Sequence, residues 1–445
     1  MNASPVDAND PHDPHDEPAG ADQEVVDAIP VDQPTTTDDG QQTAAPVSSV
    51  ERIVAIDVLR GYAVLGILVV NIQAFALPSM AYMNPYAYGD LTGVNYLVWW
   101  FTHVICDQKF MTIFSMLFGA GIVLMTSRSE ARTGRSAGVH YRRMGWLILM
   151  GFLHAHLLWY ADILYMYGVC GLLVWLLRKQ TIAVLFPLGL SMIAVASIIM
   201  VLGGLSMPYW GEPAVQEFAE VWSPSAETLQ EELDAYRGAW WRQVLPRSTA
   251  ALGMQTFMLM IWGVWRAGGL MLIGMGLYRL GILQAARSRT FYATLAVVGL
   301  AAGITVSAYG VHWNDQRGWT VETGFFFGSQ WNYWGSLLTA MGMVGALMFL
   351  YLCSANLRWY KPLAAVGQMA LTNYLVQTVV CTTIFYGHGF GYFGYLQRWQ
   401  LALVVITVLA IQVVYSPIWM SRFRYGPVEW LWRSLTYWKR QPMMR

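Results

Sequence analysis

Between residues 53 and 420 the chain passes through ten apolar runs, each close to the length that crosses a hydrocarbon layer. A bilayer core takes about 20 apolar residues of helix, because every backbone amide must find its partner inside the segment. The runs fall at about 53–76, 109–126, 144–160, 162–177, 181–204, 262–281, 290–310, 333–353, 362–384 and 400–420. They predict an all-α fold, a polytopic transmembrane bundle of about ten spans in contact with a lipid bilayer. The chain is 56% hydrophobic and 12% charged, a balance that few soluble domains show.

Charge divides the chain. Residues 1–50 hold eleven Asp or Glu and no Lys or Arg, so a formal net charge of zero hides a basic remainder. This acidic segment has few large apolar residues and reads as a disordered tail. It lacks a basic n-region and does not read as a signal peptide. Residues 51–420 form the helical domain, and the basic, aromatic stretch 421–445 reads as a surface tail. With both termini in the cytoplasm, cytoplasmic segments hold 19 of the 27 Lys and Arg and outer loops hold five. That bias fits ten spans. Three further readings concern the connections. Residues 95–106 are Trp-rich and too short to span, and read as an interfacial or re-entrant helix. Residues 248–261 read as a surface or tilted helix before the sixth span. The stretches 206–247 and 311–332 read as loops, the former partly helical. The four cysteines are isolated and read as small apolar fillers rather than metal ligands.

Polar residues inside apolar runs are costly and face a bundle interior or a wet cavity. In the first run, positions 57, 60, 64, 67 and 71 share one stripe at 100° per residue. Asp57 and Arg60 can pair at i, i+3, and Asn71 lies roughly 16 Å further along the axis. The stripe is either an interfacial anchor or a cationic site for an anionic ligand. Toward the outer face lie His103, Asp107, Lys109, His154 and Asp162. His154 is either a satisfied core histidine or a general base. Asp107 and Asp162 sit where carboxylates cap helix starts, and Lys109 reads as a snorkelling partner of Asp107. In the ninth run, Asn373 and Gln377 recur at helical spacing and either knit helices together or line a polar cavity. No metal site is expected, since His154 and His156 project about 200° apart. There is no P-loop, dinucleotide fingerprint, GxSxG or HExxH, and nothing points to nucleic acid.

Five blocks carry a resemblance. RIVAIDVLRGYAVLGILVVNI, DQKFMTIFSMLFGAGI, GFLHAHLLWYADILYMYGVCGLL, GQMALTNYLVQTVVCTTIFYGHGFGYFG and SPIWMSRFRYGPVEWLWRSLTYWKRQP resemble, in order, the YeiB-like family of bacterial inner-membrane proteins. That family is a domain of unknown function. Its pattern is similar to transmembrane acyltransferases of the heparan glucosaminide acetyltransferase and sugar O-acetyltransferase types, through the AIDVLRG start. The resemblance implies a multi-pass inner-membrane protein that moves an acyl group from cytoplasmic acyl-CoA to an envelope glycan or lipid. It implies no bound cofactor, with acyl-CoA as donor substrate. Helix 1 here has no histidine, where many sugar O-acetyltransferases place a working one. The base then falls to His154 or His103, oriented by Asp162 or Asp107. Asp57, Arg60, Asn71 and Lys109 would bind substrate, with Asn373 and Gln377 donating to the thioester oxygen. A transporter or lipid flippase, with the same charges lining a pathway, is the alternative, and a scaffold or sensor with a structural polar core is a third. A homo-oligomer is left open.

Overall fold

The apolar runs become helices in the computed structural model, which describes residues 53–354 and 358–445. The acidic segment 1–50 lies outside the described residues. Sixteen α-helices follow in order among them: α1 Val54–Ala76, α2 Gly93–Phe101, α3 Lys109–Thr133, α4 Ala137–Leu157, α5 Leu164–Val174, α6 Ile182–Ser206, α7 Glu212–Trp222, α8 Ala226–Arg237, α9 Val244–Gly253, α10 Val264–Arg279, α11 Arg289–Asp315, α12 Ser329–Cys353, α13 Tyr360–Gln368, α14 Ala370–Phe385, α15 Arg398–Arg422 and α16 Pro427–Tyr437. The fold is all-α.

Among the described residues seven helical segments are long and apolar enough to cross a membrane, and α13 with α14, bent by 82°, makes an eighth if the pair is one span. The third and fourth runs form the α4–α5 hairpin, and neither of its helices is both long and apolar enough to be counted with them, so seven or eight spans stand where the apolar runs predict about ten. We call the side carrying the 128–143 and 178–179 basic clusters the basic face.

α1 is the central helix. In its apolar window 72% of residues are buried, against 28% for α6, 22% for α11 and 28% for α15, which turn most of their surface outward. Close approach makes this possible. A Cβ added to Gly61 would lie 1.9 Å from the Leu363 carbonyl oxygen, and one on Gly367 would lie 1.9 Å from that of Asp57. The backbones of α1 and α13 therefore touch, and only glycine permits that at these two positions.

Three connections depart from expectation. Residues 95–106 are not a separate short helix: α2 and α3 form one helical path, Gly93–Thr133. Wide turns at Thr102–Cys106 and a left-handed Gln108 join the two parts. Trp99 and Val104 are buried in a cluster with Trp222 and Trp319, and Trp100 is partly buried against it. Residues 244–279 likewise form one path, with wide turns at Met254–Gly263 in place of a separate surface helix. The 311–332 stretch is helical at both ends, up to Asp315 in α11 and from Val321 onward, where Phe325 and Phe326 pack against Phe218 of α7. Within 206–247, both α7 and α8 form. They cover the far end of α1, where the Asn84 side chain donates to the Trp222 carbonyl at 2.9 Å and Glu232 accepts from the Ser79 amide at 2.9 Å.

Candidate functional site

The α1 stripe opens onto a cavity of about 220 Å³. Asp57, Arg60, Val64 and Ile67 line it, as one face of a 3.6-residue helix must. Asn71 does not line it and is half-buried. Arg60 donates to Asp57 at 2.9 Å, with the Arg60 side chain 30% exposed.

The mouth lies at the basic face and is cationic. Among the described residues, Arg60, Arg128, Arg143 and Arg433 line it together with two acidic side chains, Asp57 and Glu429. The Arg143 guanidinium rests 4.2 Å above the Trp432 ring, and the Trp432 indole donates to the Arg143 carbonyl at 2.9 Å. Thus α16, which the sequence places as a surface tail, forms one wall. Glu429 fixes it there. Its carboxylate accepts from the Leu371 and Thr372 amides at 2.7 and 3.0 Å and from the Thr372 hydroxyl at 2.5 Å. These are the free amides at the start of α14, exposed by the bend at Met369. Further in, the walls are apolar (Leu117, Phe118, Met144, Leu147), and the deep end is closed by Ile163, Leu164 and Tyr374.

His154 stands behind Tyr374, with ring centroids 5.3 Å apart. It does not itself line the cavity. Its Nδ1 lies 2.8 Å from Asp162 Oδ1 and its Nε2 lies 3.0 Å from Thr378 Oγ1. The second oxygen of Asp162 accepts from the Tyr165 amide at 2.7 Å. Asp162 therefore caps α5, as its position at a helix start suggests, and holds His154 as well. Local sequence makes this reach possible. The α4–α5 turn is short, and a Cβ at Gly151 would lie 2.2 Å from the Tyr165 amide nitrogen, so the hairpin closes tightly. His154 and Asp162 are almost wholly buried, with side chains 2% and 1% exposed. A carboxylate only accepts, so a neutral imidazole here carries its proton on Nδ1 and leaves Nε2 as the acceptor.

A second ionic cluster gathers the remaining charged candidates. Lys109 donates to Asn332 and, at 3.0 Å, to the His103 carbonyl. Asn332 and Tyr82 each donate to Asp107 at 2.9 Å. His103 Nδ1 lies 3.7 Å from Asp107 and its ring stacks on Trp99. Arg266 is buried nearby, donating to Ser336 at 2.6 Å and to the Tyr333 carbonyl at 3.1 Å. Asp107 does not cap α3, whose start has no side-chain cap. None of these residues lines the cavity.

Asn373 and Gln377 tie helices together. Asn373 Nδ2 donates to the Val366 carbonyl and to Ser416, while Gln377 Nε2 donates to the Val64 carbonyl and to Gln412. Both amide groups are spent in these bonds, so neither has a hydrogen left for a thioester oxygen. Sequence reasoning passed over Tyr374 and Thr378. The available signal was a second four-residue step on the same helix, next to the Asn373–Gln377 step. Among the described residues no group of His, Cys, Asp or Glu has the makings of a metal site.

The comparisons place the chain. Residues 277–439 match a family described as a protein of unknown function, DUF418. The chain is 33% identical over 393 residues to the uncharacterized protein YeiB of Escherichia coli, covering 87% of this chain and 96% of that one. It is 29% identical over 433 residues to the uncharacterized protein YxaH of Bacillus subtilis, covering 90% and 98%. A 39.9 kDa uncharacterized protein of Bacillus acidopullulyticus, from the amylase 3' region, is 27% identical over 400 residues. The chain spans each of these relatives almost whole, and it belongs to the YeiB-like family, whose conserved-domain description is that of a protein of unknown function.

Proposed function

We propose that this protein is an acyltransferase of the bacterial inner membrane, with both termini in the cytoplasm, which moves an acyl group from cytoplasmic acyl-CoA to an envelope glycan or lipid. One observation carries the reading. A cavity enters among four arginines and ends one side-chain layer short of a buried His–Asp pair. Planar guanidinium groups bind phosphate oxygens in a bidentate fashion, which suits the nucleotide end of acyl-CoA. The apolar middle suits a pantetheine arm and acyl chain. His154, with Nδ1 held by Asp162, has the tautomer of a general base. The distant likeness of AIDVLRG to transmembrane acyltransferases points the same way.

The test uses the purified full chain in lipid vesicles, given radiolabelled acetyl-CoA, palmitoyl-CoA and an extract of envelope lipids and glycans. Label is expected in one acceptor fraction. His154→Asn, which keeps a donor to Asp162 but no base, is expected to lower transfer by ~10²–10⁴-fold with an unchanged thermal midpoint. The bend at Met369 favours a lipid flippase instead, since broken helices mark transport pathways. Lipid movement without acyl-CoA, together with no labelled acceptor, would establish that reading and end this one.

A further inference from the structure

The proton nearest to His154 belongs to the protein itself. The ring has two nitrogens. Nδ1 faces Asp162 at 2.8 Å, and Nε2, the one free to accept, lies 3.0 Å from Thr378 Oγ1. The alternative acceptor for that hydroxyl, the Tyr374 carbonyl, is 3.4 Å away. The shorter contact therefore directs the Thr378 proton at the imidazole. An acceptor alcohol cannot reach Nε2 without displacing Thr378. Asp162, His154 and Thr378 together have the connectivity of a hydroxyl nucleophile, a base and an orienting carboxylate.

From these contacts, and building on the acyltransferase reading above, we infer that Thr378 is the nucleophile and carries the acyl group as an ester between two half-reactions. Placement supports this. Thr378 is one helical turn beyond Tyr374, which closes the cavity, and Asp162 directly precedes Ile163, which lines the same deep end. The Tyr374 side chain separates the cavity from the buried hydroxyl and must move aside for the thioester to reach it. Thr378 also lies about halfway along α14, one side-chain layer past the deep end of the cavity and away from the Glu429 cap at the start of that helix.

In the first half-reaction, Thr378 Oγ passes its proton to His154 Nε2 and bonds to the thioester carbonyl carbon. The C–S bond breaks, and the CoA thiolate takes the proton from Nε2. In the second, the acceptor hydroxyl passes its proton to Nε2 and attacks the threonyl ester. The C–Oγ bond breaks, and Thr378 regains a proton. Asp162 stays a carboxylate throughout, and no oxidant or reductant is needed.

The experiment gives the full chain in vesicles radiolabelled acetyl-CoA or palmitoyl-CoA without acceptor. The wild type is expected to take up one label per chain. The label should survive neutral hydroxylamine, which cleaves an acyl-imidazole, yield to alkaline hydroxylamine, and map to the peptide that contains Thr378. Thr378→Ser should keep the label and Thr378→Val should lose both label and transfer, with the thermal midpoint of each recorded as a check on folding. If the wild type transfers to acceptor without ever becoming labelled, or if Thr378→Val transfers at the wild-type rate, the inference falls and the acyltransferase reading stands. Label on His154 or any other residue also overturns it. If the wild type moves no acyl group to any acceptor, the reading itself is lost.

Discussion

Two ionic clusters lie in the same half of the bundle, and they use buried charge in different ways. In one, Lys109, Asp107 and Asn332 satisfy one another, with Tyr82 and the His103 carbonyl completing the set. Hydrogen-bonded partners and packed aromatics surround it, and the cavity does not reach it. In the other, His154 bridges a carboxylate and a hydroxyl one layer behind a cavity wall. Burial alone does not separate them, since Lys109 and His154 are both deeply enclosed. The difference is in what each set could do next. The lysine cluster is a closed set of permanent partners. The histidine cluster includes a weakly acidic hydroxyl and a base, which can exchange a proton without any group leaving its place.

The largest expected effect breaks this comparison if it fails. Removing one partner of a buried ionic set leaves a charge uncompensated, which costs about 3–5 kcal/mol. Lys109→Met should therefore lower the thermal midpoint sharply while the folded fraction binds acyl-CoA normally. His154→Asn should show the reverse, a near-native midpoint with transfer lost. Thermal denaturation in detergent, paired with the vesicle assay, checks both. Equal midpoints for the two variants would mean that the clusters do not differ in kind.

Much of this was legible from periodicity. Asp57, Arg60, Val64 and Ile67 follow the helical repeat, and all four line the cavity. Asp162 was legible as a helix cap because capping is local in sequence. What could not be read depends on distant pairing. Glu429 caps an amide 58 residues away, at Leu371. Nothing around Glu429 distinguishes it from a solvated acid in the first turn of a tail helix. The same holds for Thr378, which meets His154 across 224 residues. Residues 95–106 show a related limit. Their tryptophans suit an interface by type, and only the packing of Trp99 against Trp319 shows that one of them joins the core, while Leu97 and Phe101 stay exposed.

A smaller effect sharpens the contrast from the cavity side. Arg60 is one of four arginines at the mouth, and its side chain is 30% exposed, so solvent weakens what it contributes. Arg60→Ala should raise KM for acyl-CoA about tenfold, a loss of about 1.4 kcal/mol typical of one charge-assisted bond, with kcat little changed. The increase should shrink at high salt, where screening already weakens the wild type. Steady-state kinetics at two ionic strengths read this directly. A fall in kcat with unchanged KM would move Arg60 from binding into the chemical step.

The smallest effect concerns Glu429, the acid at the edge of the same mouth. Burial pushes its carboxyl above the ordinary range, against the pull of the Thr372 hydroxyl and the Thr372 and Leu371 amides. The folded protein therefore holds this proton more tightly than the unfolded chain does. Such a group gives its stability below the unfolded value, about 4.3, and loses it as pH rises through the raised one. Glu429→Gln keeps an acceptor for the two amides and offers its NH₂ to the Thr372 hydroxyl, so its midpoint should lack this slope. Near neutral pH the variant should be the more stable by about 1 kcal/mol, and the two proteins should converge in acid. A wild type that is the more stable at neutral pH would mean that the amides at the start of α14 outweigh burial and hold a carboxylate. Either result sharpens the comparison, because it fixes the charge of the mouth. Among the described residues, a neutral Glu429 leaves Asp57 as the one carboxylate lining the mouth with Arg60, Arg128, Arg143 and Arg433, and the pull on a phosphate is then greater by one charge.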